Sequence, residues 1–197
     1  MVLSQVIAVF QAVLDAIGLP GNLLVIVTIV LERRFHVIRY VLLASLAVSD
    51  LFLILVNSFR IASTAQERWL YGKTMCYLNP FFAKYFYTNT VVHLIAVSYD
   101  RYSASVKSPL TYDGMITKSR VLAIFFIWVI PIPFAIGPCL GFGKYVYNPE
   151  VFFCEDEIWT VQSSFLPGRT ALFILSGLIA CTISGCHFPK LVGLQGS

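Results

Sequence analysis

The amino-acid sequence predicts an all-α protein, a polytopic transmembrane helix bundle with about five helices. Hydrophobic residues make up 58% of the 197 residues and charged residues only 12%, whereas soluble domains carry roughly 25% charged residues. The mean hydropathy is +0.79. A soluble protein this apolar would have too little polar surface to cover itself, so the composition excludes an ordinary soluble domain.

The apolar residues fall into about five runs, several of them near the ~20 residues that a helix needs to cross a bilayer. We predict that these runs form a single transmembrane domain over residues 1–197, because no internal repeat, low-complexity tract or long linker separates them. The predicted helices cover residues 6–31, 40–62, 76–104, 119–142 and 165–188.

The short loop after the first apolar run is rich in arginine. Arg33, Arg34 and Arg39 lie there, and cytoplasmic loops carry an excess of Lys and Arg. We therefore expect this loop inside the cell and the N-terminus outside. The net charge of +4 reflects this membrane orientation, so the lipid bilayer is an expected partner and nucleic acid is not.

Two polar residues interrupt the first and second runs at membrane depth. Lipid offers Asn22 no hydrogen-bond partner and leaves an ionised Asp50 without solvation, so both side chains should face protein. For Asn22 an incidental residue in a helix kinked at Pro20 explains the sequence as well as a function does. For Asp50 a purely structural carboxylate is the weaker explanation, because burying one is expensive.

A charged doublet ends the third run. Charges at the centre of a spanning helix cost roughly 2.5–3.5 kcal/mol each, so Asp100-Arg101 belongs at the water boundary. Cys76 lies 25 residues before Arg101, which is about 37 Å of α-helix at 1.5 Å per residue. This helix is long enough to cross the membrane and protrude on both sides.

Together these residues resemble the rhodopsin-like (class A) family of G-protein-coupled receptors. Asp100-Arg101-Tyr102 matches the motif at the inner end of the family's third helix, and the interval from Cys76 to Arg101 matches the family's interval. The other matching motifs are Gly21-Asn22, Ser45-Leu46-Ala47 with Asp50-Leu51, Trp69 with Gly72, and Trp128 followed ten residues later by Pro138. The resemblance covers about residues 21–154.

The resemblance implies a partial seven-helix receptor fold, the N-terminal part with helices one to five. It implies an extracellular ligand and a heterotrimeric G protein as partners, with Arg101 paired to Asp100 at rest and released toward the G protein on activation. The implied G-protein-coupling residues are Asp100, Arg101, Tyr102 and Pro109, although Pro109 comes one residue later than the commonest spacing. Trp69, Trp128 and Pro138 take structural roles.

In the family, the residues that match Asn22 and Asp50 are buried polar groups. Asn22 would bond to neighbouring helices, and Asp50 would contribute to a sodium and water site. We expect no cofactor, and the resemblance allows only a sodium ion near Asp50. His93 is expected to be a packed core histidine, because no companion His or Cys stands at ligand spacing for a metal.

Two of the five cysteines are predicted to lie on the oxidising outer face. Cys76 stands at the mouth of the third helix and Cys154 in the polar loop after the fourth. Connectivity does not follow from sequence alone, but the topology makes Cys76–Cys154 the strongest candidate disulfide. The other three cysteines, Cys139, Cys181 and Cys186, are expected to be unpaired packing residues.

Arg60 and Lys84 stand at comparable outer depths on the second and third helices. Two converging cations would favour an anionic ligand group, whereas snorkelling toward the outer interface is the slightly favoured explanation. Biogenic-amine receptors of the family carry an Asp seven residues after the third-helix Cys, and this chain has Ala83 there. The ligand is therefore not expected to be a typical biogenic amine.

Beyond Cys154 the resemblance weakens. The fifth run lacks the interior proline and inner tyrosine of the family's fifth helix, and no sixth or seventh run follows. We therefore expect a fragment or truncated receptor that does not signal as given. The alternative is an unrelated multi-helix membrane protein such as part of a transporter. An enzyme is not expected, because the sequence shows no nucleophile–base pair, metal cluster or phosphate-binding glycine loop.

Overall fold

The computed structural model describes residues 2–32, 37–106, 118–141 and 143–157. It confirms the predicted transmembrane helix bundle and adds one β-hairpin. The elements in chain order are α1 (Val2–Leu31), α2 (Ile38–Ala65), α3 (Gly72–Val106), α4 (Lys118–Val129), α5 (Pro131–Ile136), a 3-10 helix (Gly137–Leu140), β1 (Tyr145–Asn148) and β2 (Phe153–Asp156). The fifth predicted helix, residues 165–188, lies outside the described residues.

Three helical segments of the described part are long and apolar enough to cross a membrane, namely Ser4–Leu31, Ile38–Ala65 and Lys118–Leu140. The helix α3 has 35 residues, a length of about 52 Å, but it is less apolar. Its polar side chains include Asn89 and His93, both fully buried. The polarity of α3 thus faces protein, as expected for a helix surrounded by other helices.

One narrow stripe of α1 is turned toward the protein. Ala8 and Ile29 are buried, whereas large apolar side chains elsewhere on α1 such as Phe10 and Leu24 are exposed. A Cβ at Gly18 would come within 3.3 Å of Ile54 Cδ1 on α2, so glycine permits close approach of the two helices. The exposed apolar surface of α1 is the kind that faces lipid.

The helix α2 packs against both α3 and α4. Ile38, Leu42 and Ile127 form one buried apolar cluster near the start of α2. Val56, Ala83 and Phe86 form another. Arg39 lies near Asp100 and Val56 near Asn79, so α2 and α3 run antiparallel. We call the end of the bundle with the hairpin the hairpin end, and the end with Asp100 and Arg101 the doublet end.

The run that we predict as one helix over 119–142 is divided in the structure. The helix α4 ends at Val129, α5 begins at Pro131, and a 3-10 helix follows. Pro131 has no N–H to donate to the carbonyl of Ile127, and the side chain of Asn89 donates to that oxygen instead, at 3.3 Å. A side chain of α3 therefore satisfies the carbonyl that the proline leaves open.

The polar loop predicted after the fourth run contains an antiparallel hairpin of β1 and β2, with Tyr145 opposite Asp156 and Tyr147 opposite Cys154. An isolated two-stranded hairpin is marginal in water. Contacts to three helices hold this one: Thr64 Oγ1 of α2 donates to Val151 O at 2.9 Å, and Tyr145 Oη donates to Ala135 O of α5 at 2.8 Å. The third contact is a disulfide to α3.

Candidate functional site

The doublet end presents the predicted G-protein-coupling residues. Arg101 and Tyr102 are exposed in the last turns of α3. The carboxylate of Asp100 lies 3.5 Å from Nε of Arg39, at the start of α2. This contact joins α2 to α3, and the resemblance alone implied only the pairing of Asp100 with Arg101. Pro109 lies outside the described residues.

In the sequence, Arg39 belongs to the basic loop and indicates only the orientation of the helices. Its place directly before the second apolar run, at the same membrane boundary as Asp100, is the available indication that it can reach α3. The predicted topology already makes the second and third helices antiparallel, but the rotation of each helix about its axis, which decides whether Arg39 meets Asp100, does not follow from the sequence.

In the middle of the bundle, Asp50 meets α3. Thr90 Oγ1 donates to Asp50 Oδ1 at 2.7 Å, so α3 supplies the carboxylate of α2 with a hydrogen-bond donor. Asn22 donates from Nδ2 to Gly18 O of its own helix at 3.0 Å. That bond is local, whereas the resemblance implies bonds to neighbouring helices.

His93 lies in a directional chain of hydrogen bonds. Its Nδ1 is 2.9 Å from Asn89 O, and because a carbonyl only accepts, we assign the ring proton to Nδ1. Nε2 then accepts from Ser45 Oγ at 2.8 Å, and Ser45 Oγ accepts from Trp128 Nε1 at 2.9 Å. The chain of hydrogen bonds joins α2, α3 and α4, and Trp128 is its donor on α4.

At the hairpin end, Cys76 of α3 and Cys154 of β2 form a disulfide, as predicted. Among the described residues Cys139 is a free cysteine and is exposed, while Cys181 and Cys186 lie outside them. The ring of Trp69 donates from Nε1 to Gly72 O at 2.8 Å, which fixes the turn into α3. Pro138 lies in the 3-10 helix that leads to the hairpin.

The two candidate ligand-facing cations both contact the hairpin. Lys84 Nζ donates to Asp156 Oδ2 at 2.9 Å. The guanidinium carbon of Arg60 lies 4.0 Å from the centre of the Phe153 ring, a cation–π arrangement. The hairpin thus covers both helices at the depth where a ligand is expected. Asp156, one of its acidic residues, is not among the predicted site residues.

Three described helical segments are long and apolar enough to span a membrane, and buried polar side chains lie between the helices. One end of the bundle carries a disulfide-bonded hairpin and the other a charged doublet. These features define a polytopic helical membrane protein. A family model described as "7 transmembrane receptor (rhodopsin family)" matches residues 21–190. The chain belongs to the rhodopsin family of seven-transmembrane receptors, which confirms the resemblance. The alternative of an unrelated transporter part is not supported, and the family consists of receptors and not enzymes.

Individual relatives carry different names. The chain is 33% identical over 146 residues to the alpha-1A adrenergic receptor of Oryzias latipes, and the aligned region covers 73% of this chain and 30% of that protein. It is 34% identical over 148 residues to the octopamine receptor beta-1R of Drosophila melanogaster (70% and 28%). It is 31% identical over 192 residues to the GQ-coupled rhodopsin of Mizuhopecten yessoensis (95% and 38%).

A crystal structure of squid rhodopsin has a TM-score of 0.74 with this chain at 22% identity, covering 97% of this chain and 52% of that one. This likeness shows the fold. The chain spans between 28% and 38% of the length of the three curated relatives.

Proposed function

We propose that these helices belong to a receptor that binds an extracellular ligand at the hairpin end and couples to a heterotrimeric G protein at the doublet end. The observation that carries the proposal is that a single helix, α3, connects the hairpin to the charged doublet. Cys76 ties it to the hairpin, and Arg101 is exposed 25 residues later.

The orientation belongs to the same proposal. The hairpin end, with the N-terminus, faces the outside of the plasma membrane. The arginine-rich loop supports a cytoplasmic doublet end, and a disulfide persists on the oxidising side of the membrane. The ligand is not held as in typical amine receptors, because Ala83 stands where they carry an Asp.

Exposed Arg101 is the residue proposed to contact the G protein. For the test, residues 21–157 of this chain replace the matching segment of the GQ-coupled rhodopsin of Mizuhopecten yessoensis, and uptake of GTPγS by Gq is measured in membranes. Loss of a charged hydrogen-bond donor costs about 1.5–3 kcal/mol, so Arg101→Ala should lower uptake about tenfold or more.

The matched control is Arg68→Ala, because Arg68 is exposed at the opposite, hairpin end. This variant should keep its uptake. Equal uptake by the Arg101→Ala and unchanged chimeras would refute coupling through this residue.

We further propose that a sodium ion binds near Asp50. Hard cations take oxygen ligands, and the Asp50 carboxylate with the Thr90 hydroxyl supplies two oxygen-bearing groups at membrane depth. Sodium chloride should therefore raise the thermal unfolding midpoint of the chain relative to choline chloride at equal ionic strength. Asp50→Asn should remove this difference, and an unchanged difference in the variant would place the ion elsewhere.

A further inference from the structure

The ion pair of Lys84 and Asp156 joins α3 to the hairpin, and its two members differ in freedom. Asp156 is 6% exposed, and Lys84 is 36% exposed. Asp156 belongs to β2, two residues after the disulfide-bonded Cys154, and it lies opposite Tyr145 in the hairpin. Lys84 carries its ammonium on a flexible four-carbon stem. The carboxylate is therefore held in place, and the ammonium can swing away.

The carboxylate also has unused capacity. Asp156 Oδ2 accepts from Lys84, whereas Oδ1 is buried and has no hydrogen-bond partner among the described residues. An ionised carboxylate accepts several hydrogen bonds, and leaving a buried acceptor unpaired is unfavourable. Asp156 is thus able to take a further donor from a group that enters beside it.

The cations of the site are not available to an anion in the same way. Lys84 already has a carboxylate partner, and the Arg60 guanidinium lies over the Phe153 ring. An anionic ligand would have to displace a carboxylate that the backbone and a disulfide hold in place. A cationic ligand would have to displace only a half-exposed side chain.

Aromatic side chains flank Lys84 on its own helix. Phe81 and Tyr87 stand three residues before and after it and so share its face, and aromatic faces attract cations. Ala83, the residue before Lys84, lies in the buried cluster with Val56 and Phe86. The surroundings of the ion pair therefore suit an organic cation.

We propose that Asp156 is the acidic anchor for a cationic group of the ligand, and that Lys84 is an internal counter-charge which this group displaces. The inference rests on the proposed function, because it names the class of ligand that the hairpin end takes. Amine receptors carry an acidic residue on the third helix at the position of Ala83. In this chain the hairpin supplies an acidic residue instead, Asp156, which contacts Lys84, the residue after Ala83.

Three probes of one skeleton separate charge from shape. They are octopamine, which carries an ammonium, the neutral 1-(4-hydroxyphenyl)ethane-1,2-diol, and the anionic 4-hydroxymandelate. Binding of each to the 197-residue chain in lipid nanodiscs is measured by microscale thermophoresis. Lys84→Gln removes the internal competitor and should tighten octopamine binding about tenfold, with no gain for the other two probes. Asp156→Asn should abolish octopamine binding.

Exposed residues beside the hairpin give the controls. Lys144→Gln and Glu150→Gln change the same charges outside the ion pair and should leave octopamine binding unchanged. Mass spectrometry of the Cys76–Cys154 disulfide reports folding of each variant. If Asp156→Asn lacks the disulfide, Lys84→Gln still decides the question, because it keeps the anchor.

Two outcomes would overturn the anchor. One is failure of Lys84→Gln to bind octopamine more tightly than the unchanged chain, including no binding at all. The other is preferential binding of 4-hydroxymandelate to the unchanged chain, which would restore the anionic ligand. The Arg101→Ala experiment concerns the opposite end of α3, so its failure refutes the proposed coupling to the G protein. If that experiment succeeds and the octopamine experiment fails, only the role of Asp156 as the ligand anchor is refuted.

Discussion

Ser45 is the residue on which the buried hydrogen-bond chain depends. Its hydroxyl donates to His93 Nε2 and accepts from Trp128 Nε1, so one small side chain satisfies a polar group on each of two other helices. His93 is fully buried, so its ring is not exposed to bulk solvent. A buried polar group that loses its partner costs about 1–3 kcal/mol.

Ser45→Ala should therefore lower the free energy of unfolding by about 2–4 kcal/mol, because it leaves the Trp128 N–H and His93 Nε2 without this partner. Ser58→Ala is the matched control. Ser58 is exposed and bonds within its own helix turn, to Leu55 O, so its replacement should change stability by less than about 0.5 kcal/mol. Thermal unfolding in detergent compares the two, and equal midpoints would show that Ser45 does not join the helices.

The residues that sequence reasoning identified are those whose burial is costly in itself. Asp50 stood out because a carboxylate at membrane depth needs a partner. Thr90, which donates to it, did not stand out, because a threonine in an apolar helix can bond to its own backbone. Which threonine faces Asp50 depends on the rotation of α3 about its axis, and no single residue encodes that rotation.

At the scale of elements, the helices could be predicted and the hairpin could not. A run of apolar residues near the length of a membrane crossing is a strong pattern, whereas β1 and β2 have four residues each and gain their order from contacts with distant helices. In the sequence, Pro131 marks the place where α4 and α5 are divided. Prolines are tolerated in spanning helices, so the sequence did not decide between a bend and a break.

Tyr145 couples the docking of the hairpin to pH. Burial, together with nearby Cys139 and Asp156, raises the pKa of Tyr145. The unfolded tyrosine ionises near pH ~10, so the stabilisation is complete below that pH and is lost as the pH rises toward the higher pKa of the folded state.

Between pH 9 and 11, the free energy of unfolding of the unchanged chain should fall faster than that of Tyr145→Phe. The variant also loses the hydrogen bond to Ala135 O, which lowers its stability by about 1 kcal/mol at neutral pH. Denaturant titrations at a series of pH values measure both effects. Parallel curves for the two proteins would mean that Tyr145 ionises in the folded hairpin as readily as in water.

At the scale of the whole molecule, α3 organises the chain. From the hairpin end to the doublet end it carries Cys76 of the disulfide, Thr90 that donates to Asp50, the buried His93 and the charged doublet that begins at Asp100. The sequence could establish the depths of the cysteine, the histidine and the doublet because helical rise converts residue number into depth. It could not establish the pairing of Lys84 with Asp156, which depends on how the hairpin folds back over the helices.

The account requires the hairpin and the doublet to lie on opposite sides of one membrane. Single cysteines at Glu150→Cys, on the hairpin, and Tyr102→Cys, beside the doublet, test this in a background where Cys139, Cys181 and Cys186 are serine. Both positions are exposed. A membrane-impermeant maleimide should label Glu150→Cys in intact cells and Tyr102→Cys only after permeabilisation. Labelling of both variants in intact cells, or of neither before permeabilisation, would contradict a receptor that spans the membrane from ligand to G protein.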